Sequence, residues 1–342
     1  MEFKIYNTFE NMANHKDGWN DLISKSASHV PFLTFEYQQT WWRTRGGGEW
    51  PKESQLVLVA AFDDDKLIGV APLFHVKNIL GEPALMFVGA VEVSDFLDFI
   101  VEPEDLPAFV EGLFDNLQTA DIPQWDLLDF HNILENSPTL EILESEAEKR
   151  NWSYKKILLQ PSPYITLPND FETYLSQIDK KQRHEIRRKL RNIERDPVES
   201  ALYFTEDEEH LKSDVQAFID MMAQDPSKKD FLTQEMRQHI LNTAQIAFSK
   251  GWLQLAFLTL DDNKAAANFS FLFNDRLWLY NSGWEWHYRD YSPGWVLLAN
   301  MIDWATNNGI EELDFMRGDE PYKYKFGGID RHVYRVTVTP EK

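Results

Sequence analysis

Residues 314–328, DFMRGDEPYKYKFGG, crowd Arg317, Asp319, Glu320, Lys323 and Lys325 among Tyr322, Tyr324 and Phe326. Arginine and lysine at this density can hold a phosphate or a carboxylate. A carboxylate beside them can take the proton of an attacking nucleophile, and Asp319 and Glu320 are the nearest candidates. The same residues also suit a salt-bridged loop pinned by aromatics. Upstream, Ser292-Pro293-Gly294 precedes an amphipathic segment that turns Val296, Leu297, Met301, Ile302 and Trp304 to one side. Ser292 suits a helix N-cap, Pro293 the first helical position, and Gly294 leaves room for a ligand against the backbone. Free N–H groups at such a helix start can bind a pyrophosphate, although Ser-Pro-Gly also opens many ordinary helices.

A third group of residues lies in IDKKQRHEIRRKLRNIERD, 178–196, where eight Lys/Arg fall between Lys180 and Arg195. Leu175, Ile178, Ile186, Leu190 and Ile193 sit at helical spacings and face a core. Arg183, Arg187 and Arg191 follow i, i+4, i+8 on another face, which is either a solvated basic surface or a binding face for an anion.

These residues need elements to hold them. A strand at Leu277–Asn281 leads through an aromatic loop to the helix at Ser292, and a strand at Glu311–Met316 follows it. In the simplest topology the two strands are neighbours, and Arg317-Gly318-Asp319-Glu320 then lies beyond a strand C-terminus, where ligands bind in open α/β sheets. The arrangement is repeated. LVLVAAFDDDKLIGVAPLF (56–74) aligns without gaps with QLAFLTLDDNKAAANFSFL (254–272), each reading as a β-hairpin across an Asp-rich turn. Strand-like 125–130 echoes 310–315, and each follows a helical segment, Leu106–Thr119 or Trp295–Asn307. Hairpin, helix and strand in the same order twice imply a duplicated α/β domain. The proline-rich LLQPSPYITLP sets the boundary, giving domains 1–155 and 156–342 with the chemistry in the second.

Composition narrows the function. With no cysteine among 342 residues, disulfides, thiolate metal sites and a Cys nucleophile are excluded. Nine histidines without metal-ligand spacing argue against a metal. The formal charge of −22 opposes nucleic acid and anionic membranes unless the basic helix alone meets them. No signal peptide and no membrane-length apolar run are visible, so a soluble cytoplasmic protein is expected. Nucleophile-elbow, phosphate-loop and dinucleotide-turn motifs are absent.

SPGWVLL, a helix, and then GIEELDFMRGDEPYKYKFG resemble the C-terminal signature of the CelD-like acetyltransferase branch of the GNAT superfamily, related to the Fem-type peptidyltransferases. PFLTFEYQQTWW, the first hairpin and KKQRHEIRRKLRNIE fit the same branch. The resemblance spans nearly the whole chain. It implies two fused GNAT-like domains, each a mixed, largely antiparallel sheet flanked by helices, with the first domain non-catalytic. It implies transfer of an acyl group from acetyl-CoA or another acyl-CoA to an amine or hydroxyl of a sugar, nucleotide-sugar or polysaccharide-related acceptor. Coenzyme A would be gripped by Ser292, Pro293, Gly294, Trp295, Val296 and Leu297, although the family's usual glycine-rich motif is reduced here to Gly294. Lys323, in a K-x-x-F context, matches the lysine that assists transfer in Fem-type enzymes, with Glu320 or Asp319 as base. Arg183, Arg187, Arg317, Tyr322 and Lys325 would hold the acceptor. Two alternatives stay open: aminoacyl transfer from tRNA, and a catalytically silent nucleotide-sugar or glycan-binding module. No metal is implied, and the oligomeric state is left open.

Overall fold

Both Asp-rich segments are hairpin turns. In the computed structural model, which describes residues 1–341, Asp63 faces Lys66 in the first hairpin and Leu260 faces Asn263 in the second. The chain divides into two compact units, Met1–Gln160 with the segment from His332 onward, and Pro161–Arg331.

The first unit contains β1 (Glu2–Tyr6), β2 (Gln55–Asp63), β3 (Lys66–Lys77), β4 (Pro83–Phe87), β5 (Ile100–Val101), β6 (Leu127–Leu134), β7 (Ser153–Pro161) and the last strand of the chain, His332–Thr339, called β14 below. Their order is β1-β2-β3-β4-β6-β14-β7, with β5 beside β3. Five helices belong to it: α1 (Phe9–Met12), α2 (Lys16–Ile23), α3 (Phe35–Gly48), α4 (Leu106–Thr119) and α5 (Thr139–Lys149). β2 and β3 are buried along nearly their whole length, which is why they read as continuous apolar runs rather than alternating ones.

The second unit contains α6 (Phe171–Gln177), α7 (Lys180–Arg195), α8 (Glu208–Met222), α9 (Gln234–Ser249), α10 (Pro293–Asn307) and α11 (Pro321–Lys325). Its strands are β8 (Tyr164–Thr166), β9 (Ser200–Phe204), β10 (Leu253–Leu260), β11 (Asn263–Phe273), β12 (Arg276–Trp284) and β13 (Glu312–Asp314), in the order β8-β13-β12-β11-β10-β9.

The duplication is visible in the topology. β2-β3-β4 and β10-β11-β12 are each an antiparallel meander followed by a helix, α4 or α10, and by a strand parallel to the third. The pairs are β4 with β6 (Ala84↔Leu127) and β12 with β13 (Leu277↔Leu313). A crossover helix is what joining parallel neighbours demands. The fold is therefore α/β, with two similar mixed, largely antiparallel sheets flanked by helices.

The C-terminus follows a different course from a simple split at residue 155. β14 buries Val333, Val336 and Val338 and pairs antiparallel with β6 of the first unit (Val336↔Phe130), so the second unit ends at Arg331. Among the described residues, no helix is long and apolar enough to cross a membrane.

Candidate active site

β13 stops early. It pairs with β12 only from Arg276↔Glu312 to Trp278↔Asp314, whereas β12 continues to Trp284. Beyond Trp278 that edge of β12 has no strand neighbour among the described residues. β12 also bulges there, with Phe269 of β11 opposite Asn281 and Ser270 opposite Leu279, leaving Tyr280 as the extra residue. A cavity of about 470 Å³ opens beside this edge. Leu279, Ser282, Gly283 and Trp284 of β12 form one wall, and Pro293, Gly294, Trp295 and Leu298 of α10 another. Tyr322 of α11 and Phe326 just beyond that helix also line it, together with Lys189 of α7, Asn268 and Arg289. The walls are mostly apolar with a few convergent polar groups, the usual make-up of a small-molecule site, and the volume falls in the usual range of roughly 300–1,000 Å³.

The start of α10 departs from the expected cap. Ser292 occupies the N-cap position, but at φ 52°, ψ 52° its hydroxyl caps no helix N–H. It accepts a hydrogen bond from Lys189 Nζ at 2.7 Å instead. The N–H groups of Trp295 and Val296 return to the Ser292 carbonyl, and Pro293 has none. This leaves the Gly294 N–H as the donor free to meet a ligand in the first turn, fewer than a pyrophosphate cradle needs. Gly294 does provide room, because a Cβ there would meet nothing within 4 Å. Val296 and Leu297 turn into the core. Of the residues expected to grip coenzyme A, the structure brings Ser292, Pro293, Gly294 and Trp295 to the cavity.

Lys323 sits elsewhere. Its side chain is 3 % exposed, and its ammonium reaches the carbonyls of Met316 (3.0 Å), Arg317 (2.7 Å) and Gly318 (3.1 Å), with Glu320 Oε2 at 2.9 Å. An ammonium has three N–H donors, and all are committed here. Lys323 therefore clamps the 316–320 loop rather than stabilising charge on a substrate, which corrects its expected catalytic part. Glu320 is engaged in the same clamp, Asp319 is exposed, and no carboxylate lines the cavity. The expected pair of acid–base carboxylates is corrected with it. Where the sequence suggested a loop, Pro321–Lys325 forms the short α11, and the clamp turns the neighbouring Tyr322 into the cavity. Burial, reinforced by the charge of Glu320, raises the Tyr322 phenol above its ordinary range.

Arg183 and Arg187 do not reach the site either. Arg183 donates to the carbonyls of Leu175 and Ser176 at the end of α6, and Arg187 pairs with Glu172. Arg317 lines neither the cavity nor the surface next to it. That adjoining surface is formed by Lys181, Arg188 and Lys189 of α7 with Lys325 and Trp295. Ile186 and Ile193 are buried as expected, so the helix itself was placed correctly. The polar face at the site is turned away from the Arg183/Arg187/Arg191 row by more than a third of a helical turn. Lys189 is the residue that sequence reasoning missed. It lines both the cavity and the basic surface, and burial, with Arg188 and Lys325 adding to it, lowers its pKa from the ordinary value.

Residues 180–324 match the model of the acetyltransferase (GNAT) domain family. Over these residues the second unit is similar to a GNAT domain. Solved structures extend the fold match to the whole chain. FemX aligns at 11% identity over 98% of this chain and 97% of its own, with a TM-score of 0.66. A conserved protein of unknown function from Bacteroides thetaiotaomicron aligns at 13% identity over 99% and 100%, with a TM-score of 0.60. The tandem GNAT protein from the clavulanic acid biosynthesis pathway aligns at 11% identity over 100% of both chains, with a TM-score of 0.51. At these identities the likeness is one of fold, and that fold is two fused GNAT-like domains. No curated protein matches the sequence. The similarity to this family supports acyl transfer in general as the class of reaction. The cavity lies between the free edge of β12 and the start of α10, and among the described residues no group of three or more His, Asp or Glu is placed to hold a metal.

Proposed function

We propose that this protein transfers an acyl group from an acyl-CoA thioester, acetyl-CoA being the simplest, to an acceptor amine. The carrying observation is the cavity beside the free edge of β12. An extended arm bearing amides can pair with an unpartnered strand edge as another strand would. The apolar walls suit such an arm, and the open space at Gly294 lets it pass the start of α10.

Bound acyl-CoA would supply an activated carbonyl and a thiolate leaving group. Tyr322 lines the cavity with a phenol that burial keeps protonated, so it is placed to return a proton to the departing sulfur. The missing carboxylate favours an amine over a hydroxyl. A neutral amine attacks first and sheds its proton afterwards, restoring the phenol that protonated the sulfur, whereas a hydroxyl needs a base during attack. The acceptor is proposed to be an amino sugar, free, nucleotide-linked or part of a glycan. Lys323 offers no support for aminoacyl-tRNA transfer, because its donors are committed to the 316–320 loop. A silent binding module is the reading that the lack of a carboxylate would favour if turnover were absent.

The test is calorimetric titration with acetyl-CoA followed by turnover against a panel of amino sugars. Micromolar binding and acetylation of one of them are expected. Failure to bind any acyl-CoA would sink the proposal, and binding without turnover on the whole panel would leave the module.

A further inference from the structure

The basic surface beside the cavity carries Lys181, Arg188, Lys189 and Lys325, with Glu185 the one carboxylate among its lining residues. With His184 neutral its net charge is +3, in a chain of net −22. Glu185 is already engaged, by Arg188 at 2.8 Å and more loosely by Lys189 at 3.6 Å. Lys189 and Lys325 lie 4.9 and 5.7 Å from the centre of the same Trp295 ring. Two ammonium groups that share one indole repel each other, and an anion bound beside them would relieve this. The indole offsets part of that cost. Burial lowers the pKa of Lys189; Glu185 opposes that shift, and Arg188 and Lys325 add to it.

The adjoining helix start cannot do the same work, since the first turn of α10 leaves little besides the Gly294 N–H. Lys189 and Trp295 border both the cavity and the basic surface, so one ligand can run continuously from one to the other.

We infer that Lys181, Arg188, Lys189 and Lys325 form a phosphate-binding subsite for the phosphorylated end of the molecule whose reactive end lies in the cavity. Lysine ammoniums serve here as point charges that accept a phosphate ester or diphosphate without strict geometry. Two sources share this chemistry, coenzyme A and a nucleotide sugar. The inference relies on the acyl-transfer reading only for the choice of these two.

The experiment titrates the intact chain with coenzyme A, 3′-dephospho-coenzyme A, pantetheine, a UDP-amino sugar and inorganic pyrophosphate at low and high salt. It is repeated on Lys181→Ala/Lys325→Ala, two exposed positions whose loss leaves the core untouched, and on Arg187→Ala as a control off this surface. Pyrophosphate and at least one nucleotide ligand should bind wild type in a salt-sensitive way. The double variant should lose about tenfold or more of that affinity, which corresponds to roughly 1.4 kcal/mol. Pantetheine binding and the Arg187→Ala control should not change. Dependence confined to coenzyme A assigns the subsite to the donor, and dependence confined to the UDP sugar assigns it to the acceptor. Wild-type pyrophosphate and nucleotide affinities in the double variant would overturn the subsite, as would no binding of any phosphate-bearing probe. Failure of acyl transfer alone is distinguishable, because pyrophosphate would still bind and turnover of an acetyl-pantetheine thioester would be missing.

Discussion

Lys189 donates to the Ser292 hydroxyl at 2.7 Å, tying the basic helix to the turn that starts the helix behind the cavity. Ser292 is held in the left-handed region, which costs an L-residue roughly 1–2 kcal/mol. Ser292→Ala keeps that strain and leaves a partly buried ammonium with only its looser contact to Glu185, so a stability loss of about 1–2 kcal/mol is expected. Ser292→Gly loses the same bond but relieves the strain, and its loss should be clearly smaller. Denaturant unfolding of both variants checks the order. A reversed order would mean that the hydroxyl is not what holds the turn.

Gly294 should accept a large side chain without harm to the fold, because nothing lies within 4 Å of its would-be Cβ and its φ is not positive. Gly294→Phe should keep the wild-type melting temperature within a degree or two and lose at least about tenfold in affinity for whatever fills the cavity. A large fall in melting temperature with unchanged binding would show the cavity to be elsewhere.

Tyr322→Phe should bind acyl-CoA nearly as well as wild type but turn over about 10²–10⁴-fold more slowly, the range for losing a positioned proton donor. Because the folded-state pKa is raised, the phenol stays protonated at neutral pH and beyond its ordinary value near 10. Wild-type activity should therefore show no alkaline loss from this group below about pH 10. Wild-type turnover in the variant would remove Tyr322 from the chemistry.

Lys323→Met leaves the carbonyls of Met316, Arg317 and Gly318 without their shared donor. A stability loss of about 3–5 kcal/mol is expected, typical of breaking a buried charged network. Activity should fall in parallel as α11 loosens. A catalytic lysine would instead give lost turnover at an unchanged melting temperature, so the two measurements together decide its role.

His239 on α9 is buried, and burial lowers its pKa from 6.5 to about 4. The unfolded chain takes up a proton near pH 6.5 while the folded one stays neutral. The stability involved is thus fully present above about pH 6.5 and is lost as pH falls toward 4, by at most on the order of 3 kcal/mol. Comparing urea unfolding at pH 7 and pH 4.5, His239→Leu should lose less stability than wild type over this interval. An equal loss would place the acid sensitivity in other groups.

What the sequence made legible was local. The Asp63/Lys66 and Asp261/Asn263 turns, the apolar spacing of Leu106–Thr119 and the core face of α7 all depend on residues within a few positions of one another, which periodicity can detect. Lys323 was misplaced for a physical reason. Its burial depends on three carbonyls in a loop whose path is set by Met316 and Gly318, both at positive φ, and nothing in the spacing of charges reveals that path. Arg183, Arg187 and Arg191 read as a stripe, yet Lys181, Glu185 and Arg188 form an equally regular one, and only packing against α10 decides which faces the surface beside the cavity. The return of β14 to the first sheet was invisible because its partner, β6, lies some 200 positions away.

That return has a consequence for how the chain is made. β14 sits between β6 and β7, so both strands lack a hydrogen-bonded neighbour on that side until β14 itself has been synthesised. Domains usually fold in the order in which they emerge, N-terminal first. Here the second unit is complete while the first still has a gap in its sheet, and the half that starts first is finished last. A nascent chain stalled shortly before His332 should expose two strand edges for other chains to occupy.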